Sequence, residues 1–167
     1  MLPYLKQAER AQRYLERLRN IYKGTYTPGS SEFYEDELVS FFIHCYHIRD
    51  WIINLSKLPI TAKDIDAFIN SHNELKICAD FCNGEKHCHL ERSKRTGGQP
   101  HLAYREYRVT HYTSQSGAPS TYKASYKIIS GTQAYDALEI AEKCMELWSE
   151  YIAEMQIKYL SQPPANA

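Results

Sequence analysis

Residues 37–55 read ELVSFFIHCYHIRDWIINL, and this stretch decides how the rest of the chain can fold. Polar and aromatic side chains recur there at three- and four-residue spacing, as on one face of a helix. They are Glu37, Ser40, His44, His47, Trp51 and Asn54. A neighbouring face carries Phe41, Ile48, Ile52 and Leu55. We therefore expect a helix that packs on its apolar face and presents its polar stripe to a cleft.

A second stretch repeats this arrangement. Lys76, Asp80, Asn83 and His87 fall on one helical stripe. Packed together, the two helices would bring polar groups of both into one cleft, namely His47, Asp50, Asn83, Lys86 and His87. Any one of them is more often solvent-facing or a hydrogen-bonded core residue. As a cluster they offer the tunable charge that proton transfer or phosphate binding requires.

Length and composition predict one domain of a globular protein. The chain has 167 residues, of which 43% are hydrophobic and 24% charged, values that indicate a sizeable core. No apolar run is long enough to span a bilayer and the first residues lack a signal-peptide core, so we expect a cytoplasmic protein. The five cysteines are interpreted as reduced core residues, and no cofactor is expected.

Net charge is zero but unevenly distributed. Residues 85–127 contain eight Lys or Arg against three Glu, a local excess of five positive charges. The first predicted helix, about residues 3–22, also carries Arg10, Arg13 and Arg17, but Glu9 and Glu16 lie close to them. If nucleic acid is bound, we expect the 85–127 region to contact it.

The predicted fold is α+β and mainly helical: a four- to five-helix bundle within one domain, residues 1–160, with a β-hairpin before a long last helix. Helices are expected at about 3–22, 31–57, 61–71, from 73, and 132–160, with strands at about 101–113 and 120–130. Ser31, the pair Thr61 and Asp64, and Asn73 are the expected helix caps. Residues 161–167 are expected to be disordered.

The last helix carries two adjacent apolar stripes, one from Leu138 to Tyr159 and one from Ala137 to Tyr151. That width exceeds what one bundle groove usually covers. A homodimer contact and a central position in the protein's own bundle both account for it, and we expect the dimer.

Residues 82–87, Cys82-Asn83-Gly84-Glu85-Lys86-His87, resemble the signature of the HEPN superfamily, in which an Arg, a polar residue and a later His share one helix. Asn83 would match the polar residue and His87 the catalytic His, while Cys82 stands in the place of the Arg. The resemblance implies a homodimeric, metal-independent endoribonuclease, of a toxin or phage-defence kind. His87 would act on a ribose 2′-OH, and Asp50 or Asn83 would fix its tautomer.

Because Cys82 replaces the Arg, either Lys86 or Arg49 would supply the cation, or the chain is no nuclease. The region that includes both helices, the basic turn and the hairpin is also similar to small uncharacterised prokaryotic proteins, which implies an architecture but no activity.

Two other functions fit the sequence. The first is a non-catalytic module that binds nucleic acid, or a protein, through cations interleaved with tyrosines. The cations are Arg92, Lys94, Arg95, Arg105, Arg108, Lys123 and Lys127. The second is a zinc-binding structural protein, with ligands drawn from Cys78, Cys82, Cys88, His87 or His89 and from His44, Cys45 and His47.

Overall fold

The computed structural model describes residues 2–88, 94–112 and 118–160. In these residues the order is α1 (Leu5–Lys23), α2 (Ser31–Leu55), α3 (Ala62–Ser71), α4 (Asn73–His87), β1 (His101–Thr110), β2 (Thr121–Ser130), β3 (Gln133–Asp136) and α5 (Ala137–Leu160). The α+β, mainly helical fold class with a hairpin before the last helix is confirmed. His89, Arg92 and the tail 161–167, where we expect disorder, lie outside the described residues.

α2 is the centre of the bundle and contacts the other four helices. Its apolar positions are fully buried: Leu38, Phe41, Phe42, Cys45, Ile48 and Ile52. Leu55, expected on this face, is instead 40% exposed at the end of the helix. Burying one large apolar side chain contributes about 1.5–3 kcal/mol, so this face anchors the bundle.

The helices beside α2 both run antiparallel to it. On the α1 side, Arg17 pairs with Glu37 at 3.1 Å, while Gln7 donates to the His44 carbonyl oxygen at 2.9 Å. On the α4 side, the rings of Phe42 and Phe81 lie 5.0 Å apart. These contacts fix which residues of α2 and α4 stand opposite each other.

The sheet has the order β1-β2-β3, and the predicted alternation of buried and exposed residues in its hairpin is observed. Ala124, Tyr126 and Ile128 of β2 are buried against the helices, while Lys123 and Lys127 face solvent. The sheet register pairs Arg105 with Tyr126. Since paired residues share a face, Arg105 points towards the helices.

A third strand corrects the sequence interpretation. The sequence pattern places residues 133–136 in the last helix, but Gln133–Asp136 forms β3 and α5 begins only at Ala137. The Asp136 side chain accepts hydrogen bonds from the backbone N–H groups of Leu138 and Glu139 at 2.9 and 3.2 Å. A helix-capping aspartate therefore separates strand from helix.

Both apolar stripes of α5 lie in the protein's own core. Ala137, Ile140, Ala141, Cys144, Met145, Leu147, Trp148, Ile152 and Met155 are buried. α5 contacts α1, α2, α4, β2 and β3, which explains the width of its apolar surface. That width therefore does not support a dimer.

Two of the three predicted caps need correction. Ser30, rather than Ser31, caps α2, because its hydroxyl accepts from the Phe33 N–H at 3.2 Å. Asn73 is the first residue of α4, which has no side-chain cap. The capping box of Thr61 and Asp64 is confirmed.

Tyr22 completes the sheet where β3 ends. The last residue pair between β2 and β3 is Lys127 with Asp136, so the neighbouring backbone of Tyr126 has no strand residue on the side away from β1. The Tyr22 hydroxyl accepts from the Tyr126 N–H at 2.9 Å and donates to its carbonyl oxygen at 3.1 Å. One phenol thus substitutes for a strand residue.

We expect Tyr22→Phe to lower the free energy of unfolding by about 1–3 kcal/mol, because it leaves two backbone groups of β2 unsatisfied. Urea denaturation followed by circular dichroism measures this loss. Tyr26→Phe, at a residue 65% exposed, is the matched control and should change stability little. Equal effects of the two substitutions would contradict the role assigned to Tyr22.

Candidate functional site

An open cavity of about 480 Å³ lies between α2 and α4, and one residue of each predicted polar stripe, His47 and Asn83, lines it. The expectation that the whole α2 stripe faces this cleft is wrong, because Glu37, His44 and Trp51 contact α1 instead. The cavity is lined by five of the six residues expected to be catalytic: His47, Arg49, Asp50, Asn83 and Lys86. His87, the sixth, is the last residue of α4; it is exposed and does not line the cavity. Two helices thus bring the predicted groups together, but without the histidine of the motif.

A second cavity of about 530 Å³ adjoins the first and shares Tyr46 and Asn83 with it. Its other lining residues are Asp66, Asn70, Lys94 and Arg95. We call the two cavities together the α2–α4 trough. The second half extends the site onto α3 and the loop after α4, neither of which the sequence pattern predicts as part of the catalytic cluster.

Asp66 joins two arginines in the wall of the trough. Its carboxylate receives two hydrogen bonds from Arg49, each 2.8 Å, and a third of 2.8 Å from Arg95. Arg49 also donates to Asp50 at 2.8 Å, and Arg95 donates to Asn70 at 2.6 Å. Both guanidinium groups are therefore held by protein oxygens and act as braces rather than as free cations.

The pKa values of this pair shift accordingly. Hydrogen bonding to Asp66 raises the pKa of Arg49 above its ordinary value, against the opposing effect of burial. The hydrogen bond from Arg49 lowers the pKa of Asp66, with a smaller contribution from Arg95. The arrangement thus keeps Asp66 ionised at neutral pH.

The loop that carries Lys94 and Arg95 is hydrogen-bonded to α4 through Asp80. Asp80, expected on the polar stripe, is 1% exposed and accepts from both the backbone N–H and the hydroxyl of Thr96 at 2.8 Å. Asp80 is therefore a brace beneath the site and not part of its surface.

Lys86 and Lys94 are the exposed cations of the trough. In residues 2–88, 94–112 and 118–160, neither ammonium has an ion-pair partner. Cys82, at the position of the expected Arg, is almost fully buried in the same wall, and burial raises the pKa of its thiol to about 11. The position of the expected Arg therefore holds a neutral thiol, and the exposed cations of the trough are the two lysines.

Three of the four predicted cations of the hairpin share its solvent face. Lys123 and Lys127 stand on that face of β2, and Arg108 is paired with Lys123 in the sheet register. Arg105 faces the helices and pairs with Glu35 at 2.7 Å, while Arg108 pairs with Glu106 of its own strand at 2.9 Å. Together with the ion pair of Arg95, these contacts leave Lys94, Lys123 and Lys127 as the members of the predicted set without an ion pair among the described residues.

Of the zinc ligands predicted from the sequence, Cys45 and Cys78 lie together, and His89 lies outside the described residues. The other predicted ligands do not join that pair among the described residues: His47 lines the trough, His44 bonds to Gln7, and Cys88 is exposed. In the part of the chain that the structure describes, the one group of three or more potential metal ligands is Cys45, Cys78 and Cys144. Cys144 is not among the ligands that the sequence predicts.

Comparison with known proteins gives no independent assignment. No family model, no curated protein and no solved structure matches the chain. Among the residues described, no helix has the length and apolar character required to cross a membrane.

The brace predicts a pH dependence. Because the pKa of Asp66 is lower in the folded chain than in the unfolded chain, its stabilisation is complete above the ordinary aspartate pKa of about 3.9 and is lost as the pH falls through the folded value. Asp66→Asn should remove this acid dependence. It should also lower stability at pH 7 by about 1–2 kcal/mol, a moderate loss since the side chain is 30% exposed.

Chemical denaturation at several pH values between 7 and 3 measures both effects. The matched control is Asp36→Asn at an exposed position of α2, which should leave the acid dependence of wild type in place. If the stability of Asp66→Asn changes with pH as that of wild type does, the ionised Asp66 carboxylate does not stabilise the fold through the brace.

Proposed function

We propose that this protein binds single-stranded RNA in the α2–α4 trough and belongs with the HEPN-like RNA-processing proteins. The observation that carries the proposal is the convergence of His47, Asp50, Asn83 and Lys86 from two helices on one open cavity. The trough offers what a ribose–phosphate backbone requires: ammonium groups for phosphates, and amide and imidazole groups for ribose hydroxyls.

The division of charge in the trough supports binding of the backbone rather than of a single buried phosphate. The two arginines are braced by Asp66 and Asp50, so they present no free bidentate fork to an anion. Lys86 and Lys94 sit on different cavities of the trough, one from α4 and one from the following loop. Two separated ammonium groups suit successive phosphates of an extended strand.

Tyr46 lies between the two cavities and lines both. An aromatic side chain at this position offers a surface on which a base can stack, and such stacking tolerates any base. Together with the lysines on either side, it supports sequence-tolerant binding of a short single strand.

Fluorescence anisotropy with a labelled single-stranded RNA tests this proposal. The double substitution Lys86→Ala with Lys94→Ala should weaken binding severalfold and reduce the salt slope by about 0.7 for each phosphate that is no longer neutralised. Lys143→Ala with Lys158→Ala, at two exposed positions of α5, removes the same charge; this control should leave affinity unchanged.

A second double substitution, Lys123→Ala with Lys127→Ala, distinguishes RNA binding in the trough from RNA binding on the hairpin. Loss of binding in the hairpin variant alone would locate the RNA site on the sheet and contradict the trough. No binding by wild type at low salt would contradict the RNA proposal as a whole.

Cleavage is the second candidate function, and the position of His47 favours it. His47 is the imidazole that lines the trough, so it is placed to accept a proton from a bound ribose 2′-OH, while Lys86 offsets charge that develops on the phosphate. If RNA is cleaved, His47→Ala should abolish cleavage and retain binding, whereas His87→Ala should retain both. Loss of cleavage in His87→Ala alone would return the catalytic role to the residue of the motif.

A homodimer remains part of the proposal, now supported by the edge of the sheet. In the described residues, β1 pairs with β2 alone, so one edge of a ten-residue strand is open. The backbone N–H and C=O of Tyr122 in β2 both bond to Thr25, so they point away from β1. Val109 pairs with Tyr122 in the sheet register and therefore directs its own N–H and C=O away from β2. Arg105 and Tyr107 share that direction, since bonding alternates along the strand.

Charge selects one register for pairing with a second copy. A two-fold axis at Tyr107 sets Glu106 opposite Arg108 of the second copy, and the reverse. An axis at Arg105, Glu106 or Arg108 would instead oppose identical charges, which is unfavourable. The edge is therefore complementary to itself in one register.

We expect sedimentation to show a dimer for wild type and a monomer for Val109→Pro, because proline removes an N–H that only the dimer would use. Val109→Ala keeps that N–H and should remain dimeric. A wild-type protein that sediments as a monomer at tens of micromolar would contradict the dimer but not the RNA site.

The proposal places the protein in the cytoplasm, and the free thiols support that placement. Cys45, Cys78, Cys82, Cys88 and Cys144 are unpaired. Unpaired thiols are typical of a reducing compartment.

A further inference from the structure

Three cysteines from three helices meet in the core. Cys45 of α2, Cys78 of α4 and Cys144 of α5 bring their sulfur atoms within 4.8 Å of one another. Each residue is at most 1% exposed. We call them the thiol cluster, which is separate from the trough since none of the three lines either of its cavities.

We propose that the thiol cluster is a three-coordinate site for a soft, thiophilic divalent metal ion. Three thiolate sulfurs would bind the ion directly, and no water would complete the shell. The ion would join α2, α4 and α5 beneath the trough. This site is independent of the proposed RNA binding.

The spacing of the sulfurs is compatible with a bound ion. With metal–sulfur bonds of about 2.3 Å, an ion at the centre of a triangle of ligands requires sulfurs about 4.0 Å apart. The three sulfurs all lie within 4.8 Å of one another, so that arrangement needs at most small side-chain movements.

Trp148 supplies a second observation. Its indole Nε1–H is buried and has no hydrogen-bond partner among the described residues. The indole is among the side chains that interact with the Cys45 thiol, which places this donor next to the cluster. A thiolate at Cys45 would satisfy a donor that is otherwise unpaired.

Charge balance favours a divalent ion. Binding breaks three S–H bonds, forms three metal–sulfur bonds and releases three protons to solvent, and no sulfur is oxidised. The product with a divalent ion carries one negative charge, and with a monovalent ion two. Because all three cysteines are buried, the smaller residual charge costs less.

The test uses the variant with both Cys82→Ser and Cys88→Ser, which keeps only the three cysteines of the cluster. It is reduced, freed of metal and titrated with Cd²⁺ without oxygen. We expect a sulfur-to-cadmium charge-transfer band in the ultraviolet that saturates at one ion per chain, with an increase in Tm. X-ray absorption should show three sulfur neighbours around the ion.

Matched substitutions decide between the cluster and other thiols. Adding Cys144→Ser to the double variant should abolish the three-sulfur signature. The proposal is overturned if the double variant shows no band at one equivalent, or if the added change leaves sulfur coordination intact. The variant with Cys82→Ser and Cys88→Ser tests the proposal by itself. Its result therefore stands even if the protein with the added Cys144→Ser fails to fold.

Discussion

The antiparallel packing of α2 against α4 holds the rest of the structure in place. Phe42 and Phe81 meet at its centre with ring centroids 5.0 Å apart, and both are fully buried. On one side of this contact His47 of α2 and Asn83 of α4 line the trough. On the other side Cys45 and Cys78 turn inward and meet α5. One helix pair therefore positions both candidate sites.

The braces around Asp66 limit what the trough can do. Arg49 and Arg95 are paired, so the trough has a rigid wall and few free charges. This favours modest, salt-dependent contact with a polyanion over tight capture of one phosphate. Any catalysis would rest on His47, since it is the histidine among the lining residues.

The sequence predicted the elements well where periodicity was strong and failed where tertiary partners decide. The packing of α2 against α4 predicted four of the lining residues, His47, Asp50, Asn83 and Lys86, because helical spacing places them on facing sides. Helical spacing places His87 one turn beyond Asn83 on the same face of α4, but it does not show that His87 lies outside the cavity. Whether the last turn reaches the cavity depends on the angle at which the helix packs. Asp66 and Asn70 do carry a detectable signal, since two polar residues four apart on α3 share one helical face. Cys144 carries none, since a cysteine on an apolar stripe indicates only core.

Binding in the trough can be tested by mapping amide chemical shifts of the ¹⁵N-labelled protein during titration with a short single-stranded RNA. We expect the shifted amides to concentrate on α2 around His47, on α4 around Asn83 and Lys86, and on the loop at Lys94. Shifts confined to β1 and β2, or no shifts at low salt, would contradict binding of RNA in the trough.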